Sequence, residues 1–258
     1  MQAEIISIGT ELLLGQIVDT NAAHIAAALA EHGIPLYWKT TVGDNAGRIE
    51  EALRRGLERS EILLCTGGLG PTVDDITRDC VARVLEQPLE FHPELYRHIE
   101  ERFRKFKRGL VPENNRRQAC IPANALPLHN PCGTAPGLIA EAKNRCIICM
   151  PGVPAEMKTM LSESVLPYLK ERFNIQQVIL HRTLLVRTLG ESRVDALITD
   201  LFENSENPTI GLLATPGCVQ IRMTACAHDR NAALDLIAPL EQKIRERIAP
   251  YENGLEIK

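Results

Sequence analysis

The sequence predicts an α/β protein: a three-layer, mostly parallel sheet over residues 1–172, followed by a small α+β unit of βαββα order over residues 173–258. Three observations carry this. Through about the first 170 residues, short apolar runs alternate with segments of helical period, which is the pattern of βα units. From about Gln176 the order changes to strand, helix, two strands and a long helix. A chain of 258 residues is also longer than one average domain and suits two.

In order, Glu4 to Gly9 reads as the first strand. Asn21 to Glu31 follows as a helix, with Ile25 and Leu29 one turn apart, Asp19 and Thr20 as caps and Gly33 as its stop. Leu36 to Val42 is the second strand, and Asp44 or Asn45 caps a helix whose Ile49, Leu53 and Leu57 repeat every four residues. Glu61 to Thr66 is the third strand, after which a helix resumes near Asp74 and runs to about Leu85. A helix from Pro93 to Lys107 buries Leu95, Ile99, Phe103 and Phe106, and its basic end, Arg102 to Arg108, reads as a solvated face. Pro112, Pro122, Pro127, Pro131 and Pro136 mark loops. Strands at Gly137 to Glu141 and Arg145 to Met150 come next, then a helix from Pro154 that Pro167 ends or kinks. The second unit reads as strand Val178 to Arg187, helix Gly190 to Phe202, strands Thr209 to Leu213 and Cys218 to Thr224, and helix Arg230 to Ile248.

The charge balance of 29 Lys plus Arg against 33 Asp plus Glu gives a net charge of -4, which removes the basic field that draws proteins to nucleic acid or anionic lipid. No apolar stretch has signal or membrane-spanning length, so a cytoplasmic location is expected, with no membrane partner. Eight cysteines scattered mostly through apolar runs suit reduced thiols. Cys146 and Cys149 lie in one strand on opposite faces, so they are expected to pack in the core and to share neither a metal nor a disulfide.

In an open parallel sheet, ligands bind beyond the carboxyl ends of the strands, here the loops after the first and third. The first loop is Gly9-Thr10-Glu11-Leu12, and the other is Thr66-Gly67-Gly68-Leu69-Gly70-Pro71-Thr72-Val73-Asp74-Asp75-Ile76-Thr77. Gly67, Gly68 and Gly70 let backbone N–H groups approach a phosphate, and the following helix offers its positive end. Asp74 and Asp75 beside such a cradle would repel a diphosphate unless a divalent cation lay between them. Against this, Thr72-x-x-Asp75 has capping-box spacing. Further polar clusters fall in Pro112 to Gln118, with Asn115 and Arg116; in Asn130 to Gly137, with Gly133 and Thr134; and in Pro151 to Lys158, where Glu156 opens a helix or aims a carboxylate at the same crevice. No Ser-His-Asp order, zinc spacing or Cys-His pairing stands out.

Taken together, Ile8 to Asn21, Thr41 to Asn45, Thr66 to Thr77, Pro112 to Gln118, Asn130 to Gly137 and Pro151 to Lys158 closely resemble the CinA family of competence/damage-inducible proteins; Gly190 to Ser192 and Asn207 to Leu213 extend the match. The resemblance implies a molybdopterin-binding-like domain of the MoaB and MogA type, a KH-like domain behind it, and a homo-oligomer, a dimer first. It also implies metal-dependent cleavage of ADP-ribose to AMP and ribose 5-phosphate. Many relatives carry a further C-terminal domain that deamidates nicotinamide mononucleotide; the chain ends at Lys258, so that activity is not expected of it. Molybdopterin enzymes resemble Gly-Gly-Thr-Gly followed by Arg-Asp, whereas Leu69 and Asp74 stand here in place of the Thr and Arg, which tells against a pterin substrate. The KH-like unit has no clear Gly-x-x-Gly clamp, and residues 176–258 carry 9 Lys plus Arg against 11 Asp plus Glu, so RNA binding is not expected.

The expected chemistry is hydrolysis of a nucleotide diphosphate. Asp74 and Asp75 would hold Mg²⁺ or a similar ion with Asp44 or Glu156, Gly67, Gly68 and Gly70 would cradle the phosphates, and Thr10, Glu11, Thr72, Asn115, Arg116, Asn130, Gly133 and Thr134 would orient the substrate. The alternatives are a molybdopterin-binding or adenylyl-transferring enzyme using the same crevice, and a non-catalytic nucleotide-sensing protein.

Overall fold

The computed structural model describes residues 1–106, 109–203, 205–251 and 256–257. The chain divides into two compact units, Met1–Ala30 with Ile34–Asn174, and Glu31–Gly33 with Ile175–Lys258.

The first unit runs β1 (Ala3–Ile8), α1 (Thr10–Leu13), α2 (Thr20–Glu31), β2 (Leu36–Val42), α3 (Ala46–Arg59), β3 (Ile62–Thr66), α4 (Thr77–Val84), β4 (Leu89–Phe91), α5 (Pro93–Lys105), β5 (Cys120–Pro122), β6 (Leu126–Leu128), β7 (Gly137–Ala142), β8 (Arg145–Met150), α6 (Pro154–Met160) and α7 (Leu166–Arg172). Its main sheet has the order β2-β1-β3-β8-β7-β6. The first four of these strands are parallel, while β7 and β6 join antiparallel. The mostly parallel sheet read from the sequence is therefore the one observed. Burial on both faces explains why β1 and β3 are buried at every position. Glu4, fully buried in β1, accepts from Arg59 Nε and Nη2 at 2.8 and 2.7 Å and from Thr40 Oγ1 at 2.8 Å, so its charge is both paired and hydrogen-bonded.

Asn45 caps α3 through the Arg48 amide, settling the choice between Asp44 and Asn45. α4 starts at Thr77 rather than near Asp74, because residues 72–75 close into a turn in which the Asp75 amide donates to the Thr72 carbonyl at 3.2 Å. The helix from Pro154 is not ended by Pro167: a π-helical turn at Leu161–Val165 precedes it, and Pro167 falls in the first turn of α7, where its missing N–H costs little. β4, β5 and β6 escaped the sequence reading, being three residues each and, for β5 and β6, containing proline. Pro112 to Gln118, read as loop, lies largely in a 3-10 turn, Glu113–Ala119.

Two expectations for α5 are corrected. Phe106 is 42% exposed, with the Arg102 guanidinium 4.6 Å from its ring centroid. Arg102 is only 9% exposed and donates to the Cys132 carbonyl at 2.6 Å, so the basic run is not uniformly solvated. Lys107 and Arg108 lie outside the described residues.

The second unit runs β9 (Val178–Val186), α8 (Glu191–Glu203), β10 (Thr209–Thr215), β11 (Cys218–Ala227), α9 (Arg230–Ile248) and β12 (Glu256–Ile257), an antiparallel sheet of order β10-β11-β9-β12. This is the expected βαββα order, with longer hairpin strands and one added edge strand. Val194 and Ile198 of α8 and Ala233, Ile237 and Ile244 of α9 pack on Leu184, Ile221 and Met223 of the sheet. Asp229 caps α9 by accepting from the Ala232 amide at 2.8 Å.

The eight cysteines are free; Cys146 and Cys149 are buried, and burial pushes the Cys146 thiol up to about 12. Cys132 is exposed. No helix among the described residues is long and apolar enough to cross a membrane.

Candidate functional site

A crevice of about 490 Å³ in the first unit lies where β1 and β3 end, and both loops singled out in the sequence open into it. Its lining includes Glu11, Asp44, Gly67, Gly68, Gly70, Thr72, Asp74, Asp75, Thr134 and Glu156.

The glycine loop is built so that its carbonyls turn away. Thr77 Oγ1 donates to the Gly67 carbonyl at 2.9 Å and the Thr77 amide to that of Gly68 at 3.2 Å. Arg78 Nη1 and Nη2 donate to the carbonyls of Leu69 and Gly70 at 2.5 and 3.0 Å. With the loop's acceptors tied to the start of α4, the Gly68 and Gly70 amides have no hydrogen-bond partner among the described residues. Gly67 has φ +102° and a Cβ there would lie 2.0 Å from the Ile8 carbonyl oxygen, so only glycine brings the two loops this close. Arg78 is 1% exposed, and burial lowers its guanidinium pKa to about 10. A positive charge thus stands directly behind a row of backbone N–H groups, an arrangement that favours an anion.

The carboxylates are organised differently from the sequence expectation. Asp75 Oδ2 accepts the Thr72 amide at 2.9 Å and also the Thr72 hydroxyl, and Asp74 Oδ1 accepts that same hydroxyl. The Thr72-Asp75 box therefore closes a turn ahead of the helix instead of capping it; Ile76 occupies the N-cap position. The Thr72 hydroxyl, the amide of Asp74 itself and nearby Arg117 hold the Asp74 carboxyl below the usual carboxylate range. Asp44 and Thr10 form a reciprocal pair: Asp44 Oδ2 accepts from Thr10 N and Oγ1 at 2.9 and 2.8 Å, and the Asp44 amide donates to Thr10 Oγ1 at 3.1 Å. Thr10 is thus tied to Asp44, which lines the crevice while Thr10 does not.

Asn130 is fully buried and does not line the crevice. Its Oδ1 accepts the amides of Cys132 and Gly133 at 3.0 and 2.8 Å, and its Nδ2 donates to the Ala135 carbonyl and to Glu156 Oε2, each at 2.7 Å. It shapes the loop that presents Thr134 and fixes Glu156, and Gly133 belongs to that turn. The expectation of direct ligand contact by Asn130 and Gly133 is corrected accordingly. Arg116 stacks over the Phe91 ring at 4.0 Å and Asn115 donates to Gln118 Oε1 at 2.9 Å, so neither lines the crevice.

Sequence reasoning missed Arg78, Arg117, Gln118, Asp19 and Asn21. Gln118 lines the crevice, while Arg117 donates to the Thr72 carbonyl and pairs with Asp79 at 3.5 Å. Asp19, read only as a cap, also lines the crevice and accepts from Ser7 Oγ at 2.7 Å and Lys39 Nζ at 3.0 Å. Nothing in the sequence marks Arg78 as buried, because an arginine in the first turn of a helix is ordinarily solvated. The lining carries six carboxylates, from Glu11, Asp19, Asp44, Asp74, Asp75 and Glu156, and among the described residues no Lys, Arg or His side chain. The crevice thus sets six carboxylates against the loop amides, with the Arg78 charge buried behind them.

A family model described as "Probable molybdopterin binding domain" matches residues 4–171, and one described as "Damage-inducible protein CinA KH domain" matches residues 181–253. A "Putative competence-damage inducible protein" of Clostridium novyi (strain NT) is 44% identical over 257 residues, 98% of this chain and 61% of that protein. Its namesake from Halothermothrix orenii is 41% identical over 254 residues, 98% of this chain and 60% of that protein. The chain thus spans about three fifths of the length of these curated relatives. The crystal structure of the protein CinA with unknown function from Thermoplasma acidophilum is similar with a TM-score of 0.60 and 34% identity, covering 66% of this chain and 97% of that one.

Proposed function

Because the chain belongs to the CinA family, with a molybdopterin-binding-type domain ahead of a CinA KH domain, we propose that the crevice at Gly67–Asp75 binds a phosphorylated heterocyclic small molecule. One observation carries this reading: the Gly67–Gly70 carbonyls are drawn back to Thr77 and Arg78, which leaves the Gly68 and Gly70 amides for an anion.

The residues also fit a divalent cation in one mode. The Thr72 hydroxyl has a single proton, yet carboxylate oxygens of both Asp74 and Asp75 lie against it, so it can donate to only one of them and the other oxygen is left to meet a different partner. No group of three His, Cys, Asp or Glu among the described residues could hold a metal unaided. That suits Mg²⁺, which is commonly held by one or two carboxylates together with the substrate's phosphates. Such an ion would supply charge screening and polarisation of a bridging oxygen.

On this reading the chain acts as a phosphoanhydride hydrolase, with ADP-ribose the first substrate to try. The glycine amides would hold one phosphate, and Asp74 with Asp75 would hold the metal. Glu156, its Oε2 held by Asn130, takes the proton from a water attacking phosphorus as the anhydride P–O bond breaks and the second phosphate leaves.

A second reading is favoured by the family model itself, whose description names molybdopterin: binding of a pterin-type ligand, with adenylyl transfer or with no turnover at all. It asks less of the site, since Asp75 is already engaged in the Thr72 turn. The discriminating experiment is incubation with ADP-ribose, with and without Mg²⁺, followed by chromatography for AMP and by titration with a pterin phosphate. Cation-dependent AMP supports hydrolysis; binding without turnover supports the second reading; neither binding nor turnover removes both.

A further inference from the structure

The crevice lining has no Lys, Arg or His side chain among the described residues, so an anion entering it is met by backbone and hydroxyl groups. One wall is the glycine loop, with Arg78 buried behind it. The wall formed by residues 130–135 repeats this plan with donors from α5. His98 and Arg102 stand one turn apart on that helix, and neither lines the crevice. His98 Nε2 lies 3.0 Å from the Asn130 carbonyl oxygen, and Arg102 Nη2 donates to the Cys132 carbonyl at 2.6 Å. The Asn130 side chain ties the same loop from within, through the Cys132 and Gly133 amides and the Ala135 carbonyl, and it also holds Glu156. Thr134 lines the crevice, and its amide and hydroxyl have no hydrogen-bond partner among the described residues.

Arg102 is a costly residue to place here. It is 9% exposed, its Nε has no hydrogen-bond partner, and no carboxylate pairs with it among the described residues. An unpaired buried charge lowers stability, and an apolar side chain of similar volume would fill the same space without that cost. Packing alone therefore gives no reason for an arginine. Its guanidinium does place a positive charge behind the Thr134 wall, as Arg78 does behind the glycine loop. His98 complements it. Burial and the neighbouring His129, whose ring centroid is 4.6 Å away, hold the His98 imidazole below its ordinary range. At neutral pH it carries one N–H, which the Asn130 carbonyl fixes on Nε2.

We infer that His98 and Arg102 are positioning residues of the crevice: they hold the Asn130 loop so that the Thr134 N–H and O–H meet the second phosphate of a diphosphate whose first phosphate lies on the glycine loop. This deepens the proposed function and rests on its reading of that loop.

The test is calorimetric titration of the full chain, in Mg²⁺, with orthophosphate and with pyrophosphate. The wild type should bind pyrophosphate at least about tenfold more tightly, because the second phosphate gains hydrogen bonds to a charged acceptor. In His98→Phe and in Arg102→Met that advantage should shrink by about tenfold, while orthophosphate affinity, set by the glycine loop, stays within about threefold of the wild type. His98→Gln keeps an N–H for the Asn130 carbonyl and should retain the advantage, a rescue that a purely packing role would not show. His98→Leu and Arg102→Gln give the same readout as the first two variants should those fail to fold. The inference is overturned by a wild type that binds orthophosphate as tightly as pyrophosphate, by an advantage that survives in either variant, by orthophosphate affinity that falls in step with that for pyrophosphate, or by equal losses in His98→Gln and His98→Phe. In each of these cases orthophosphate binding to the wild type leaves the glycine-loop reading standing. If the wild type binds neither anion, both readings fall.

Discussion

Replacing Arg78 by Met separates what the glycine loop needs to fold from what it needs to bind. Two opposing terms set the stability change. Burial drives the Arg78 guanidinium from the ordinary arginine range to about 10, equivalent to about 3 kcal/mol against the charged form. Because the folded value lies below the unfolded one, that burden is present at every pH below about 10 and eases only as pH rises past it. Methionine removes the burden and fills much of the space of the arginine stem. Its cost is the loss of two hydrogen bonds from a charged donor to the carbonyls of Leu69 and Gly70, about 1.5–3 kcal/mol each. The net is a destabilisation of about 0–3 kcal/mol, a folded protein with unanchored loop carbonyls. Urea denaturation measures the first quantity and calorimetric titration with pyrophosphate in Mg²⁺ the second, where affinity should fall about tenfold or more. Unchanged pyrophosphate affinity would refute the claim that Arg78 aims the loop amides. A stability loss beyond about 5 kcal/mol would refute the balance of burial against hydrogen bonding.

Three further predictions concern the surroundings. Asp75→Asn keeps an oxygen for the Thr72 amide but loses the charge, so melting should change little while Mg²⁺-dependent ligand binding is abolished; equal loss of both would assign Asp75 to the turn alone. Gly67→Ala places a Cβ 2.0 Å from the Ile8 carbonyl at φ +102°, and should cost about 3 kcal/mol or more in urea denaturation; a loss under about 1 kcal/mol would mean that the loop relaxes freely. Asp19 is subject to burial, which raises its pKa, but hydrogen bonds from the Ala22 amide, Ser7 and Lys39 lower it overall. Its stabilisation is therefore full above the ordinary carboxylate value and lost as pH falls through the depressed one, so Asp19→Asn, which loses the charge facing Lys39, should cost about 1 kcal/mol at pH 7 and progressively less as the medium is acidified below the ordinary carboxylate value. A deficit that does not shrink on acidification would contradict that assignment.

The strands that hold the site were legible because parallel strands buried on both faces leave uninterrupted apolar runs. Ile5 to Ile8, Ile62 to Cys65 and Cys146 to Met150 stand out against helices that repeat every three to four residues. The glycine loop's place at the crevice was legible too, since crevices in open parallel sheets form beyond the carboxyl ends of the strands and this loop follows the third one. Its supports were not. Arg78 reads as a surface arginine in the first turn of a helix, and only tertiary packing makes it a buried anchor for carbonyls eight and nine residues upstream. Asn130 looks like a ligand contact because it sits in a polar, proline-rich loop, but its four hydrogen bonds all go to protein. Arg116 and Arg117 are indistinguishable by composition; in the 3-10 turn Glu113–Ala119, one stacks on Phe91 while the next reaches the Thr72 carbonyl.

Arg117 supplies the sharpest test of whether the paired acids face a cation or only build a turn. Its guanidinium is one of the influences that hold Asp74 below the usual range, and it is anchored by the Thr72 carbonyl and Asp79. If Asp74 and Asp75 exist to close the turn, Arg117 is their counter-charge, and Arg117→Gln should lower stability while leaving Mg²⁺ affinity unchanged. If they exist to grip an ion, Arg117 competes with that ion, and the same substitution should tighten Mg²⁺ binding in the presence of pyrophosphate by about two- to fivefold at low salt. Raising the ionic strength well above 0.15 M should then erase much of the gain, because charges this exposed are screened over about 8 Å. Weaker Mg²⁺ binding in the variant would contradict both, and would mean that Arg117 itself holds the ligand's phosphates.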